Sequence, residues 1–142
     1  MDAITFLKKE HRTFRKSLTE IQKLSHGPTK QKKFDALCQD LIRHETMEQK
    51  VFYPVLRKYP DLRDIIKHLL GEEKSAAAEI KKFNQASFEF MWDLRYIKFK
   101  HDVNHHAKEE ESELFPKVKK LLTKEQLDVL GNKLQKFKDS NK

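Results

Sequence analysis

The sequence predicts an all-α fold, an up-down-up-down four-helix bundle with a short extra C-terminal helix, and three observations carry that prediction. Glycine (3) and proline (4) are scarce in 142 residues, whereas Lys, Glu, Leu, Gln and Ala abound, a composition that suits helices rather than sheets. Apolar residues recur at three- and four-residue spacing through most of the chain. The stretch HETMEQKVFYP at 44–54 returns as HAKEEESELFP at 106–116, an offset of 62 residues, as two helical hairpins of similar design would produce. The chain is expected to form one domain, the bundle over about 1–120 and the terminal helix over about 123–138.

The first helix runs from Ile4 to about Leu24, with Ile4, Leu7, Phe14, Leu18 and Ile21 on one stripe and His11 within it. Asp2 suits its N-cap, and His26-Gly27-Pro28 ends it. The second helix starts near Thr29 and places Phe34, Leu37, Leu41, His44, Glu48, Phe52 and Val55 on one face, with Pro54 kinking or loosening its last turn. A break at Tyr59-Pro60-Asp61 opens the third, whose stripe reads Leu62, Ile66, Leu69, Glu73, Ala76, Ile80 and Phe83. After a turn near Asn84 and Gln85, the fourth carries Phe88, Trp92, Phe99, Val103, His106, Glu110 and Leu114, then Val118 beyond Pro116. Thr123 to Phe137 reads as the terminal helix, with Thr123 and Gln126 in capping-box spacing and a frayed tail after it.

No apolar run reaches the roughly 18 residues that span a membrane, and MDAITFLKKEH lacks the basic-then-apolar order of a secretory signal, so a soluble cytoplasmic protein is expected. The single cysteine, Cys38, cannot form an internal disulfide and reads as a small buried apolar residue. The net charge of +8 invites a nucleic-acid reading, but the lysines are scattered over every segment without aromatic interleaving, which fits solvated helix faces better.

His44 and Glu48, and His106 and Glu110, are each four residues apart and share a helix face, so each pair can present an imidazole and a carboxylate to one metal ion. Along the 62-residue offset, Glu10 falls on Glu72 and His11 on Glu73. His11, His44, Glu48, Glu73, His106 and Glu110 would then all point into the bundle, and burying so many polar groups costs several kcal/mol or more unless something compensates them. A metal site compensates them, and mixed imidazole and carboxylate donors suit Fe, Mn or Zn. Helix-borne Glu and His one turn apart are the recurring way that di-iron carboxylate sites are built in bundles.

The run from KKEH at 8–11, through HETMEQKVFYP, to HHAKEEESELFP in the last long helix resembles the hemerythrin-like (HHE cation-binding) domains over nearly the whole chain. The resemblance implies a non-haem centre of two iron ions, with His11, His44 and His106 as terminal ligands. Glu48 and Glu110 would bridge the irons together with an oxo or hydroxo group, and an open position would take O2, peroxide or NO. The pattern departs from the family where the pseudo-twin of His11 should be a histidine and is Glu73. Three readings of that position stand open. Glu73 ligates instead, giving a harder, more anionic site that favours ferric iron and oxidation chemistry over reversible oxygen carriage. His68 and Glu72, also one turn apart, supply the third-helix ligands. Or the site is degenerate. Glu45 completes an HExxE pattern similar to that of iron-sensing relatives, yet lies about 100° around the helix from His44, which favours a supporting or solvent role. His101 and His105, one turn apart, could form a rim site but read better as solvent-facing or supporting residues. The alternatives to an O2, peroxide or NO-handling protein are an iron- or oxygen-sensing regulatory module and a metal-free basic interaction protein.

Overall fold

The computed structural model describes residues 1–83 and 89–141 and contains five principal helices, with no strand among the described residues. The expected turn at Asn84 and Gln85 and the place of Phe88 on the fourth stripe lie outside the described residues. Helix α1 spans Ala3–Lys23, and Asp2 caps it by accepting from the Thr5 amide at 2.8 Å. Gly27 does not end α1, which stops at Lys23 with Leu24 extended; it instead sits at the N-cap of α2 (Pro28–Met47), at a φ of +154° that favours glycine, with Pro28 opening the helix. Helix α3 (Arg63–Lys82) follows a 3₁₀ turn at Pro60–Leu62, and α4 spans Glu89–Glu109. Helix α5 runs Lys124–Ser140 behind the Thr123/Gln126 capping box. The chain expected to fray after Phe137 is therefore helical to Ser140, and Lys138 is held by Glu10 at 2.7 Å.

Helices α2 and α4 do not stop where their α-helical pattern does. Each passes through one π-helical turn, Glu48–Phe52 and Glu110–Leu114, and resumes as Tyr53–Leu56 and Phe115–Leu121. The prolines explain the position of both turns. Pro54 and Pro116 have no N–H, and their rings would crowd the carbonyls four residues back, at Lys50 and Ser112. Widening the turn by one residue relieves that crowding, and the Tyr53 and Phe115 amides donate to the Glu48 and Glu110 carbonyls instead. The extra residue also rotates the next helical segment, so Tyr53 and Leu56 are buried while Val55, expected inside, is only half-buried.

The core consists of two apolar clusters separated by a polar layer. One gathers Ile4, Leu7, Phe52, Ile66, Leu69, Leu114 and Phe115, and is extended by Leu127, Leu130 and Leu134 of α5. The other gathers Phe14, Leu18, Phe34, Leu41, Phe83, Trp92, Tyr96 and Phe99. Every bundle helix crosses from one cluster to the other, and where it crosses it carries a buried or nearly buried histidine or glutamate: His11, His44 with Glu48, Glu73, and His106 with Glu110. Helix α5 lies so close to the start of α1 that a Cβ on Gly131 would sit 2.2 Å from the Met1 carbonyl oxygen. Among the described residues no helix is long and apolar enough to cross a membrane.

Candidate metal centre

All six residues singled out for the centre converge in the polar layer. Glu48 and Glu110 are fully buried, Glu73, His11 and His44 nearly so, and His106 is the most open at 15 %. Their inward atoms form two groups, each with ligand atoms within 4.8 Å of one another: His11, His44 and Glu110 in one, Glu48, Glu73, His106 and Glu110 in the other. Glu110 belongs to both. His44 Nε2 lies 3.0 Å from Glu48 Oε1, His106 Nε2 lies 3.2 Å from Glu110 Oε1 and 3.1 Å from Glu73 Oε2, and His11 Nε2 lies 3.6 Å from Glu110 Oε1.

The three imidazoles are held the same way. Each has Nδ1 against a carboxylate, which can only accept: His11 on Glu111 (2.6 Å), His44 on Glu10 (3.3 Å) and His106 on Glu72 (2.8 Å). That contact anchors each ring through Nδ1 and turns its Nε2 inward, the orientation that metal-binding histidines require. The inward atoms are poorly served by protein: His11 Nε2, His44 Nε2, both Glu48 oxygens and Glu110 Oε1 are buried without a hydrogen bond of acceptable geometry. Buried polar groups are rarely left so, and these lone pairs point at one another. The donor set therefore fits one or two cations of the kind that accept nitrogen and oxygen ligands.

In the metal-free chain protons carry part of that compensation. Burial, followed by the charges of Glu110 and Glu73, raises the pKa of Glu48 well above the usual carboxylate range. Burial acts the same way on Glu110, but the adjoining Glu48, His106 and His11 side chains outweigh it and hold its pKa well below the usual carboxylate range. Burial opposes the charge on His106, yet Glu110 and Glu73 outweigh it and push its pKa up to about 12. Glu10 is likewise penalised by burial, and its bonds to His44 and Lys138 bring it down to about 2.

The structure separates the candidates for the third-helix position. Glu73 points into the layer, where Gln49 Nε2 donates to its Oε1 (2.9 Å) and the Tyr53 hydroxyl to its Oε2 (2.7 Å). Burial and the surrounding carboxylates raise the Tyr53 pKa, so the phenol stays a donor. His68 is turned outward, 58 % exposed, and pairs with Glu109, while Glu72 supports His106 from behind. Glu45 is half-buried beside the layer and belongs to neither group, with burial and the Glu73 charge raising its pKa to about 8.

The 62-residue offset shows why a glutamate can replace the histidine. Its two flanking partners change with it: Glu111, which accepts from His11, corresponds to Gln49, which donates to Glu73. Phe115, stacked on His11 at 6.1 Å, corresponds to Tyr53, which also donates to Glu73. A histidine needs an acceptor behind it and a carboxylate needs donors, and the sequence supplies each. Sequence reasoning missed Gln49 and Tyr53, although the mismatch of 49 with 111 and of 53 with 115 was a signal available in the repeat.

A cavity of about 680 Å³ opens onto the layer between α1, α2, α3 and α4, with His11, His44 and His106 among its lining residues and Phe14, Leu41 and Val103 on its apolar wall. Comparison with known proteins agrees with this picture at the level of the family. A search of curated proteins and one of solved structures returned no match. The model of the hemerythrin HHE cation binding domain matches residues 2–118, which take in all four bundle helices and every residue of the polar layer. The chain therefore belongs to the hemerythrin HHE cation-binding domain family.

Proposed function

We propose that this is a non-haem di-iron protein that binds O2, peroxide or NO, with His11 and His44 on one ion, Glu73 and His106 on the other, and Glu48 and Glu110 between them. The observation that supports it best is the sharing of Glu110 by two groups of buried donors, the arrangement expected of a carboxylate that spans two ions. When bound, a pair of iron ions supplies the electrons and the open coordination position that such small oxidants need. The chain's own residues supply the rest. Glu10, Glu72 and Glu111 fix the three imidazoles with Nε2 inward, and Gln49 and Tyr53 steady Glu73. The cavity gives a small ligand access to the His11, His44 and His106 side, while the apolar clusters exclude bulk water from the rest.

Glu73 adds negative charge where a symmetric cage would have a neutral imidazole. That charge stabilises ferric over ferrous iron and favours scavenging oxidants over carrying oxygen reversibly. Protein purified from iron-replete cells is expected to contain two iron ions per chain and to change its near-ultraviolet absorption on exposure to air. No transition metal in such protein, together with no uptake of Fe²⁺ by the metal-free chain, would overturn the reading. A sensor role has one specific observation in its favour, the many buried donors left without partners, because a cage of that kind makes stability depend on metal occupancy. Protease resistance unchanged by metal removal would dismiss it.

A further inference from the structure

Outside the polar layer, at the mouth of the cavity, a second cluster of metal-ligating side chains joins α3 to α4. His68 Nε2 lies 2.9 Å from Glu109 Oε2 and 3.5 Å from Glu72 Oε2. His105 Nε2 is 3.9 Å from Glu72 Oε2 and touches Glu109 Oε1 as well. Ligand atoms of His68, Glu72 and Glu109 all fall within 4.8 Å of one another. Around an ion with bonds of about 2.1 Å, the edge of a coordination tetrahedron is about 3.4 Å, and the His68–Glu109, His68–Glu72 and His105–Glu72 separations of 2.9, 3.5 and 3.9 Å bracket that length. Both carboxylates are partly sheltered, at 24 % and 14 % exposure, while the two imidazoles are more than half exposed.

The internal repeat says what the cluster lacks. Glu10 and Glu72 occupy corresponding places, and both use Oε1 to hold the Nδ1 of a cage histidine. The outer oxygen of Glu10 is capped by a built-in cation, the Lys138 ammonium at 2.7 Å, which rests over the Phe6 ring at 5.7 Å. The counterpart of Phe6 is His68, and the outer oxygen of Glu72 meets His68 and His105 where Glu10 meets a lysine. Where one hairpin carries its own positive charge, the other offers two imidazole nitrogens and two carboxylates.

We propose that His68, Glu72, His105 and Glu109 form a second, surface cation site that takes a divalent first-row transition-metal ion. Two carboxylates and two imidazoles balance a divalent ion and suit Zn²⁺, Co²⁺ or Fe²⁺ better than Mg²⁺ or Ca²⁺. Glu72 links this site to the layer, since its other oxygen holds His106. The cavity lined by His68, Glu72 and His105 on its open side and by His106 within gives an ion bound here a path inward. Only that role as a waystation rests on the di-iron reading; the site itself does not.

Equilibrium dialysis of the metal-free chain against Co²⁺, with visible spectra, tests it. Three proteins are compared: the unaltered chain, the double variant His68→Ala/His105→Ala, and Glu48→Gln, which cripples the layer; circular dichroism checks that each is folded. The expected result is that the double variant binds one Co²⁺ fewer than the unaltered chain and Glu48→Gln keeps that ion. If the double variant binds as many ions with the same affinities, the proposal falls, whatever the layer does. If Co²⁺ binds only at the His68/His105 site, the proposal stands and the reading of the layer as a metal centre falls. If no Co²⁺ binds anywhere, both fall.

Discussion

Replacing Glu48 by glutamine should stabilise the metal-free protein and weaken its response to metal, a reversal of sign that a merely structural residue would not produce. Glu48 is fully buried, neither oxygen has a hydrogen bond, and Glu110 and Glu73 repel its charge. Its folded pKa is raised above the ordinary 4.5, so the folded state holds a proton that the unfolded chain releases. Stability then falls as pH rises above 4.5, with a slope of at most about 1.4 kcal/mol per pH unit, and the loss reaches at most about 3 kcal/mol by pH 6.5. Glutamine cannot ionise and keeps the shape of the side chain, so it recovers that loss. At roughly 3–5 °C per kcal/mol for a chain of this size, the metal-free Tm at pH 6.5 should rise, by at most roughly 15 °C. The difference should vanish below pH 4.5, where both folded and unfolded chains carry the proton. Thermal melts of chelator-treated protein from pH 4 to 7, repeated with added Co²⁺, provide the assay. A metal-free Tm that falls in Glu48→Gln at pH 6.5, or a metal-induced rise as large as in the unaltered chain, would refute the argument.

Three further outcomes rest on named contacts. Glu73→His alone leaves Gln49 offering a donor to a ring that needs an acceptor, so its metal affinity should fall about 10–100-fold, and adding Gln49→Glu should recover most of it in a metal titration. Cys38 is buried, and burial followed by the Asp35 charge pushes its thiol up to about 12. Only about 1 in 10⁴ is thiolate at pH 8, so iodoacetamide should label the unfolded chain and spare the folded one, as mass spectrometry would show. Gly131→Ala puts a methyl into the backbone of Met1 to Ala3 and should cost about 1–3 kcal/mol in urea unfolding, with α5 more readily cleaved by protease.

The prolines show how far local sequence reaches and where it stops. Pro54 was legible as a point where a helix must loosen, because a missing N–H and a ring clash are properties of one residue, and Pro116 repeats it at the 62-residue offset. That the loosening takes the form of a π turn beginning at each glutamate, and that it swings Tyr53 rather than Val55 inward, depends on what the neighbouring helices pack against. The tail after Phe137 misled for a similar reason. KDSNK has little helix propensity of its own, and it is the contact of Lys138 with Glu10, a residue 128 positions earlier, that holds its first residues in the helix.

By itself the sequence determined the helices, their inward stripes and six polar residues interrupting those stripes, because a 3.6-residue period and an internal repeat are one-dimensional facts. It also located the place where the two halves of the cage differ in ligand type, His11 against Glu73. Only the tertiary structure decided among Glu73, His68 and Glu72, since their spacing on one helix is compatible with either face until three other helices fix its rotation. It placed Glu73 inside with Gln49 and Tyr53 as donors, Glu72 behind His106, and His68 at the surface against Glu109. These are contacts across 20 to 41 positions of sequence, set by how the four helices pack.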